Sequence, residues 1–83
     1  MNKININIFI PGLDKDFDLE LPINLEMTKA IEKIKKAINE MTEGAYVVSE
    51  NMKLYEKSTG KLINTNNIVK YSGLTNGCSI LML

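Results

Sequence analysis

Apolar and polar residues alternate in two segments near the start of the chain. The first segment has isoleucine at every second position, at Ile4, Ile6, Ile8 and Ile10. The second follows the Pro11-Gly12 break and has apolar residues at Phe17, Leu19 and Leu21. A period of two places the apolar side chains of each segment on one face of a β-strand and the intervening side chains on the other. The two segments therefore predict a β-hairpin, and Pro22, which lacks an N–H donor, is expected to end the second strand.

The period changes to that of a helix in the middle of the chain. The apolar positions are separated by steps of four and three residues, at Met27, Ile31, Ile34, Ile38 and Met41. This spacing predicts an amphipathic helix from about Met27 to Met41. Asn24 or Thr28 is a candidate cap at its start, and Gly44 suits a left-handed residue that closes its end.

The remaining segments are shorter. Alternation predicts a third strand over Met52–Lys57, a very short fourth at Leu62-Ile63 and a last strand over Cys78–Leu83, while Ile68–Tyr71 fits one helical turn. Residues 45–51 fit either a short strand or a packed loop. A helix that follows a hairpin covers one sheet face, and the last strand then lies beside the first. The prediction is a single α+β domain over residues 1–83, a β-grasp with a mixed sheet of four to five strands packed on one main helix.

The composition narrows the classes of function. All ten basic residues are lysines, and without arginine or histidine the chain lacks bidentate phosphate donors and imidazole chemistry, so nucleic acid is not an expected partner. A single cysteine cannot form an internal disulfide, no secretory leader pattern opens the chain, and no apolar run approaches membrane-spanning length. We therefore expect a cytoplasmic protein that does not insert into a membrane itself.

Several short motifs carry a family resemblance that covers nearly the whole chain. Besides the hairpin and helix, they are Leu54, the Gly60-Lys61-Leu62 turn, Tyr71, and the Gly73-Leu74-Thr75-Asn76-Gly77 turn. Their layout resembles ubiquitin. In detail the chain is more similar to the YukD and EsaB group, the small ubiquitin-fold proteins encoded with type VII (WXG100) secretion systems of Gram-positive bacteria. The resemblance implies a non-covalent adaptor or regulator that contacts cytosolic parts of the membrane components of such a system.

The end of the sequence bears on a second class of function. Ubiquitin and the ThiS and MoaD sulfur carriers present a flexible Gly-Gly carboxylate to an adenylating enzyme, whereas this sequence ends in Met82-Leu83. The comparison favours a binding protein. The alternatives are a sulfur or conjugation carrier that requires processing, and a β-grasp subunit of an unrelated complex.

Two features invite a chemical interpretation. Carboxylates recur at every second residue, at Asp14, Asp16, Asp18 and Glu20, and in an extended strand all four would point one way. A calcium loop would need glycine at Leu19 and glutamate at Leu25, so the acidic row is interpreted as a charged sheet edge that discourages pairing. Cys78 has no histidine to activate it. We expect no enzymatic activity, no cofactor and no bound metal.

The last predicted strand is apolar on both faces. Ile80 and Met82 are in phase with the core, which leaves Leu81 and Leu83 on the outer face. The same phase places Phe9 and Tyr55 there. These four residues form a predicted protein-interaction patch, in a location that resembles the apolar patch of ubiquitin. Scattered apolar residues are also common on protein surfaces, and this second interpretation stays open.

Overall fold

A computed structural model describes residues 2–83. The strands are β1 (Lys3–Ile10), β2 (Lys15–Pro22), β3 (Leu54–Glu56) and β4 (Cys78–Met82). One α-helix, α1 (Met27–Met41), follows the hairpin, and a short 3₁₀ turn spans Val69–Tyr71. The predicted helix therefore has the bounds that its apolar spacing indicated.

The four strands form one mixed sheet in the order β2-β1-β4-β3. Strands β1 and β2 are antiparallel, with Ile8 opposite Phe17, and β3 and β4 are antiparallel as well. Strands β1 and β4 are parallel, with Ile8 opposite Ile80. The predicted β-grasp arrangement is confirmed, including the central position of the last strand beside the first.

The core lies between the inner face of this sheet and α1. The four isoleucines of β1 are buried, and α1 contributes the buried residues Met27, Ala30, Ile34 and Ile38. Burial of an isoleucine or leucine side chain stabilises a fold by about 1.5–3 kcal/mol. The apolar face of the sheet thus packs against the apolar face of α1. This packing determines which sheet face remains on the outside.

Strands in the second half of the chain are shorter than their sequence patterns indicated, and the last one ends at Met82, one residue before its predicted end. Strand β3 covers only Leu54–Glu56 instead of Met52–Lys57. Leu62 forms an isolated bridge with Tyr55, so the predicted fourth strand at Leu62-Ile63 is wrong as a strand of its own. The segment 45–53 contains no helix or strand, although Tyr46 and Val48 pack against the core.

The predicted helix cap is also wrong. Glu26 occupies the N-cap position in an extended conformation and makes no side-chain cap hydrogen bond. The Met27 N–H instead donates to the backbone oxygen of Asn67 at 2.9 Å, so a distant segment satisfies the helix end. At the other end Gly44 has φ 78°, as predicted.

Asp14 departs from the predicted row of four carboxylates. It lies in the hairpin turn with φ 52°, before β2 begins at Lys15. Only Asp16, Asp18 and Glu20 therefore share a strand face. No helix within residues 2–83 is long and apolar enough to cross a membrane.

Candidate protein-interaction face

The outer face of the sheet, on the side away from α1, brings three predicted patch residues into one row. Phe9 of β1 lies opposite Leu81 of β4, and Leu81 lies opposite Tyr55 of β3. Directly opposed residues in a sheet have their side chains on the same face, and in an antiparallel pair such as Leu81 and Tyr55 the Cβ atoms lie about 4.5–5.5 Å apart. The row therefore crosses three adjacent strands without interruption.

Leu83 completes the patch two residues beyond Leu81. Its N–H donates to the Lys53 backbone oxygen at 3.0 Å, and the Lys53 N–H donates to the Leu83 oxygen at 2.7 Å. These bonds continue the β3–β4 pairing and hold Leu83 in phase with Leu81. Leu83 is 60% exposed, and the other three residues are half-buried. The structure thus brings together all four residues that the sequence singled out, which we call the apolar patch: Phe9, Tyr55, Leu81 and Leu83.

Two further residues belong to this face and were missed from the sequence. Leu62 bridges to Tyr55, extends the row beyond β3 and is 54% exposed. The Lys57 Nζ lies 4.8 Å from the centroid of the Phe9 ring, which is cation–π distance. The alternation that placed Tyr55 on the outer face also places Lys57 there, so this signal was present in the sequence.

Charges of opposite sign border the apolar patch. On the β2 side, the Asn7 side-chain amide donates to Asp16 at 2.8 Å and to Asp18 at 3.0 Å, which holds both carboxylates on the outer face. On the β3 side the charged residues are Lys53 and Lys57, which share a face with Tyr55. The face is therefore apolar in the middle, acidic along one border and basic along the other.

Three other features of the described chain were candidates for a site: a cleft, clusters of potential metal ligands and the single cysteine. A cleft of about 580 Å³ lies between Ile31 of α1, the segment 50–54 and the stretch around Leu62. Within residues 2–83 no group of three or more potential metal ligands converges. Cys78 is half-buried and unpaired, opposite Ile6 on the inner side of the sheet.

Comparison with known proteins finds similarity in structure but not in sequence. No protein-family model matches the sequence, and no curated protein matches it significantly.

Several solved structures have the same fold. The ubiquitin-like domain of the type VII secretion system protein EccD1 from Mycobacterium tuberculosis superposes with a TM-score of 0.73 at 14% identity, covering 100% of this chain and 99% of that one. A chain of the MycP5-free ESX-5 inner membrane complex gives 0.76 at 10% identity, covering 100% of this chain and 21% of that chain. A ubiquitin-like domain of an Arabidopsis thaliana protein gives 0.67 at 19% identity, with 100% and 78% covered.

These superpositions define the class of the fold. The chain is a ubiquitin-like β-grasp, with a four-stranded mixed sheet and one main helix. Identities of this size establish the fold and carry no function with them.

Proposed function

We propose that this protein is a non-covalent, ubiquitin-like adaptor or regulatory component of a bacterial type VII secretion system. It acts through protein–protein contacts, without catalysis, on cytosolic parts of the membrane components of that system. The observation that carries the proposal is the uninterrupted row of Phe9, Leu81 and Tyr55 on the outer face.

The composition of the outer face supports a binding role. Protein interfaces commonly have an apolar centre surrounded by a polar rim, and charges at the rim steer association and fix orientation. The apolar patch has this organisation, with aspartates along one border and lysines along the other. A helix covers the opposite sheet face, so the outer face is the broad sheet surface open to a partner.

The structural relatives support the proposed system. One is the ubiquitin-like domain of a type VII secretion protein, and another is a chain of the ESX-5 inner membrane complex. The motifs that resemble the YukD and EsaB group favour the same system. The proposal for this chain is accordingly a ubiquitin-like partner of such a machine in the cytoplasm of a Gram-positive bacterium.

A binding experiment with paired variants tests the proposal. The purified protein is titrated with the cytosolic parts of the membrane components encoded beside its gene, and the affinity is measured by calorimetry. Leu81→Asp introduces a charge at the centre of the apolar patch and is expected to abolish binding. Tyr55→Ala removes a half-buried ring, and we expect it to weaken binding by about tenfold or more, as truncation of an interface aromatic commonly does.

Matched controls separate loss of the patch from loss of the fold. Val47→Asp and Tyr71→Ala make the same changes at residues that are 84% and 60% exposed and lie outside the apolar patch. Both controls should bind like the unchanged protein, and circular dichroism should be native for all four variants. Unchanged binding by a natively folded Leu81→Asp protein would contradict the proposal.

A further inference from the structure

Strand β2 has one side without a partner strand. It lies at the end of the strand order β2-β1-β4-β3, so only its β1 side is paired. The Ile23 N–H donates to the Asn2 oxygen at 3.0 Å, which fixes the phase of the antiparallel ladder. Hydrogen-bonded pairs then recur at every second residue, and Leu21, Leu19 and Phe17 bond to β1.

The intervening residues direct their backbone groups outward. Asp16, Asp18 and Glu20 alternate with the bonded residues, so their N–H and C=O groups point away from β1. This edge therefore offers three consecutive donor and acceptor sets at the spacing of a β-ladder. An extended segment that pairs with them would become a fifth strand.

Side chains on the two faces of β2 specify the chemistry of such a segment. On the outer face, Asn7 holds the Asp16 and Asp18 carboxylates. Among residues 2–83 the one ion pair joins Lys3 to Glu20 at 3.4 Å, so neither aspartate has a cation within ion-pair distance there. A strand added at this edge would place its outward side chains beside these carboxylates, and lysine or arginine would complement them.

On the inner face of β2, apolar side chains of an added strand would fit best. Phe17 and Leu19 point toward α1 but remain half-buried, because no further strand covers them. A cleft of about 300 Å³ continues from Phe17 to the end of α1, where Met41 is 49% exposed. An apolar side chain of an added strand would enter this cleft and remove Phe17 and Met41 from water.

We propose that the β2 edge binds an extended peptide segment of another protein in which basic and apolar residues alternate. Basic residues lie opposite Asp16, Asp18 and Glu20, and apolar residues lie opposite Phe17 and Leu19. A second copy of β2 does not fit, because pairing two such edges places carboxylates beside carboxylates. This site is separate from the apolar patch and does not depend on the function proposed above.

A synthetic peptide tests the site directly. The probe is an acetylated and amidated heptapeptide in which lysine and valine alternate, titrated into the ¹⁵N-labelled protein. Binding should slow hydrogen exchange of the Asp16, Asp18 and Glu20 amides and give intermolecular NOEs to the β2 backbone. Affinity should fall as salt is raised, because the ion pairs are exposed.

Two altered peptides separate strand pairing from charge attraction. A heptapeptide with glutamate in place of lysine should not bind. A peptide N-methylated on the residues that face β2 keeps every charge but loses the donors, and it should not bind either. Equal binding of the N-methylated peptide, or no binding of the lysine–valine peptide at millimolar concentration, would overturn the proposal.

Protein variants complete the test. The double variant Asp16→Asn and Asp18→Asn keeps oxygen acceptors for Asn7 and should bind the peptide about three- to tenfold more weakly. The matched control, Glu32→Gln and Glu40→Gln on the exposed surface of α1, should bind without change. Leu81→Asp should also bind the peptide normally, so a failure of the edge site is distinguishable from a failure of the apolar patch.

Discussion

The ammonium group of Lys57 lies over the ring of Phe9, 4.8 Å from its centroid. Phe9 is on β1, and the Lys57 N–H donates to Ser79 of β4 at 2.9 Å, so the lysine side chain reaches across a strand. The Lys57 side chain is exposed, and its ammonium group lies over the Phe9 end of the apolar patch. A residue at the basic border thereby shields part of the apolar patch.

Replacement of Lys57 by alanine should destabilise the fold slightly. Lys57→Ala removes a cation–π contact, which contributes about 0.5–1 kcal/mol at exposed sites. Lys57→Met keeps most of the stem without the charge and should lose less, and Lys61→Ala serves as the exposed control. Urea unfolding gives the free energies. Equal stability of the Lys57→Ala and Lys61→Ala proteins would show that the contact contributes nothing.

Ser72 is the buried polar side chain of the described core, at 3% exposure. Its hydroxyl donates to the Val69 oxygen at 2.7 Å and accepts the Leu74 N–H at 3.2 Å. Ser72→Ala should reduce the free energy of unfolding by about 1–3 kcal/mol, because the Leu74 N–H loses its acceptor in the interior.

Ser79 provides the control for this substitution. It is exposed on the outer face of β4, and Ser79→Ala should change stability by less than about 0.5 kcal/mol. Thermal and denaturant unfolding of both variants measure the difference. If the two proteins unfolded at the same denaturant concentration, the Ser72 hydroxyl would have no structural importance.

The turn before β4 requires a left-handed residue. Gly77 has φ 82°, and its N–H donates to the Asn5 oxygen at 2.7 Å. A Cβ there would have no atom within 4 Å, so the conformation alone disfavours alanine. Gly77→Ala should destabilise the protein by about 1–2 kcal/mol.

Gly12 offers the matched glycine. It lacks a positive φ, and a Cβ would meet Tyr46 at 3.4 Å, which is ordinary contact. Gly12→Ala should be neutral or stabilising by up to about 1 kcal/mol, because alanine reduces the entropy of the unfolded chain. Denaturant unfolding compares the two alanine variants. A Gly77→Ala protein as stable as Gly12→Ala would contradict the argument from backbone conformation.

Much of the fold follows from the sequence because its long elements are strongly periodic. The eight-residue strand β1 and the fifteen-residue helix α1 each repeat their pattern enough times to define a face. Strand β3 has three residues, too few for a period to mark its ends. Its neighbour Leu62 is positioned by backbone bonds such as Ile63 N–H to Leu54 oxygen at 2.9 Å, which alternation does not reveal.

The residues of the apolar patch can be predicted from the alternation of side chains within each strand. Their neighbours depend on how the strands pair with one another. Alternation placed Phe9, Tyr55 and Leu81 on one face, and the structure adds that they are directly opposed. The same alternation extended the acidic row to Asp14, although the hairpin turn removes that residue from the strand. Locating the open edge of β2 needed the strand order, which depends on the pairing of β1 with the distant β4. It also needed the phase of the hairpin hydrogen bonds, which the alternation of side chains does not reveal.

The parallel pairing of β1 with β4 also governs how the chain folds during synthesis. The ribosome makes the hairpin and α1 first, while the centre of the sheet still lacks residues 78–82. Until those residues emerge, the isoleucines of β1 have no β4 neighbour and their surface remains available to chaperones. Formation of the complete domain therefore awaits the synthesis of residues 78–82, and nascent fragments ending before Gly77 are expected to be substrates for proteolysis.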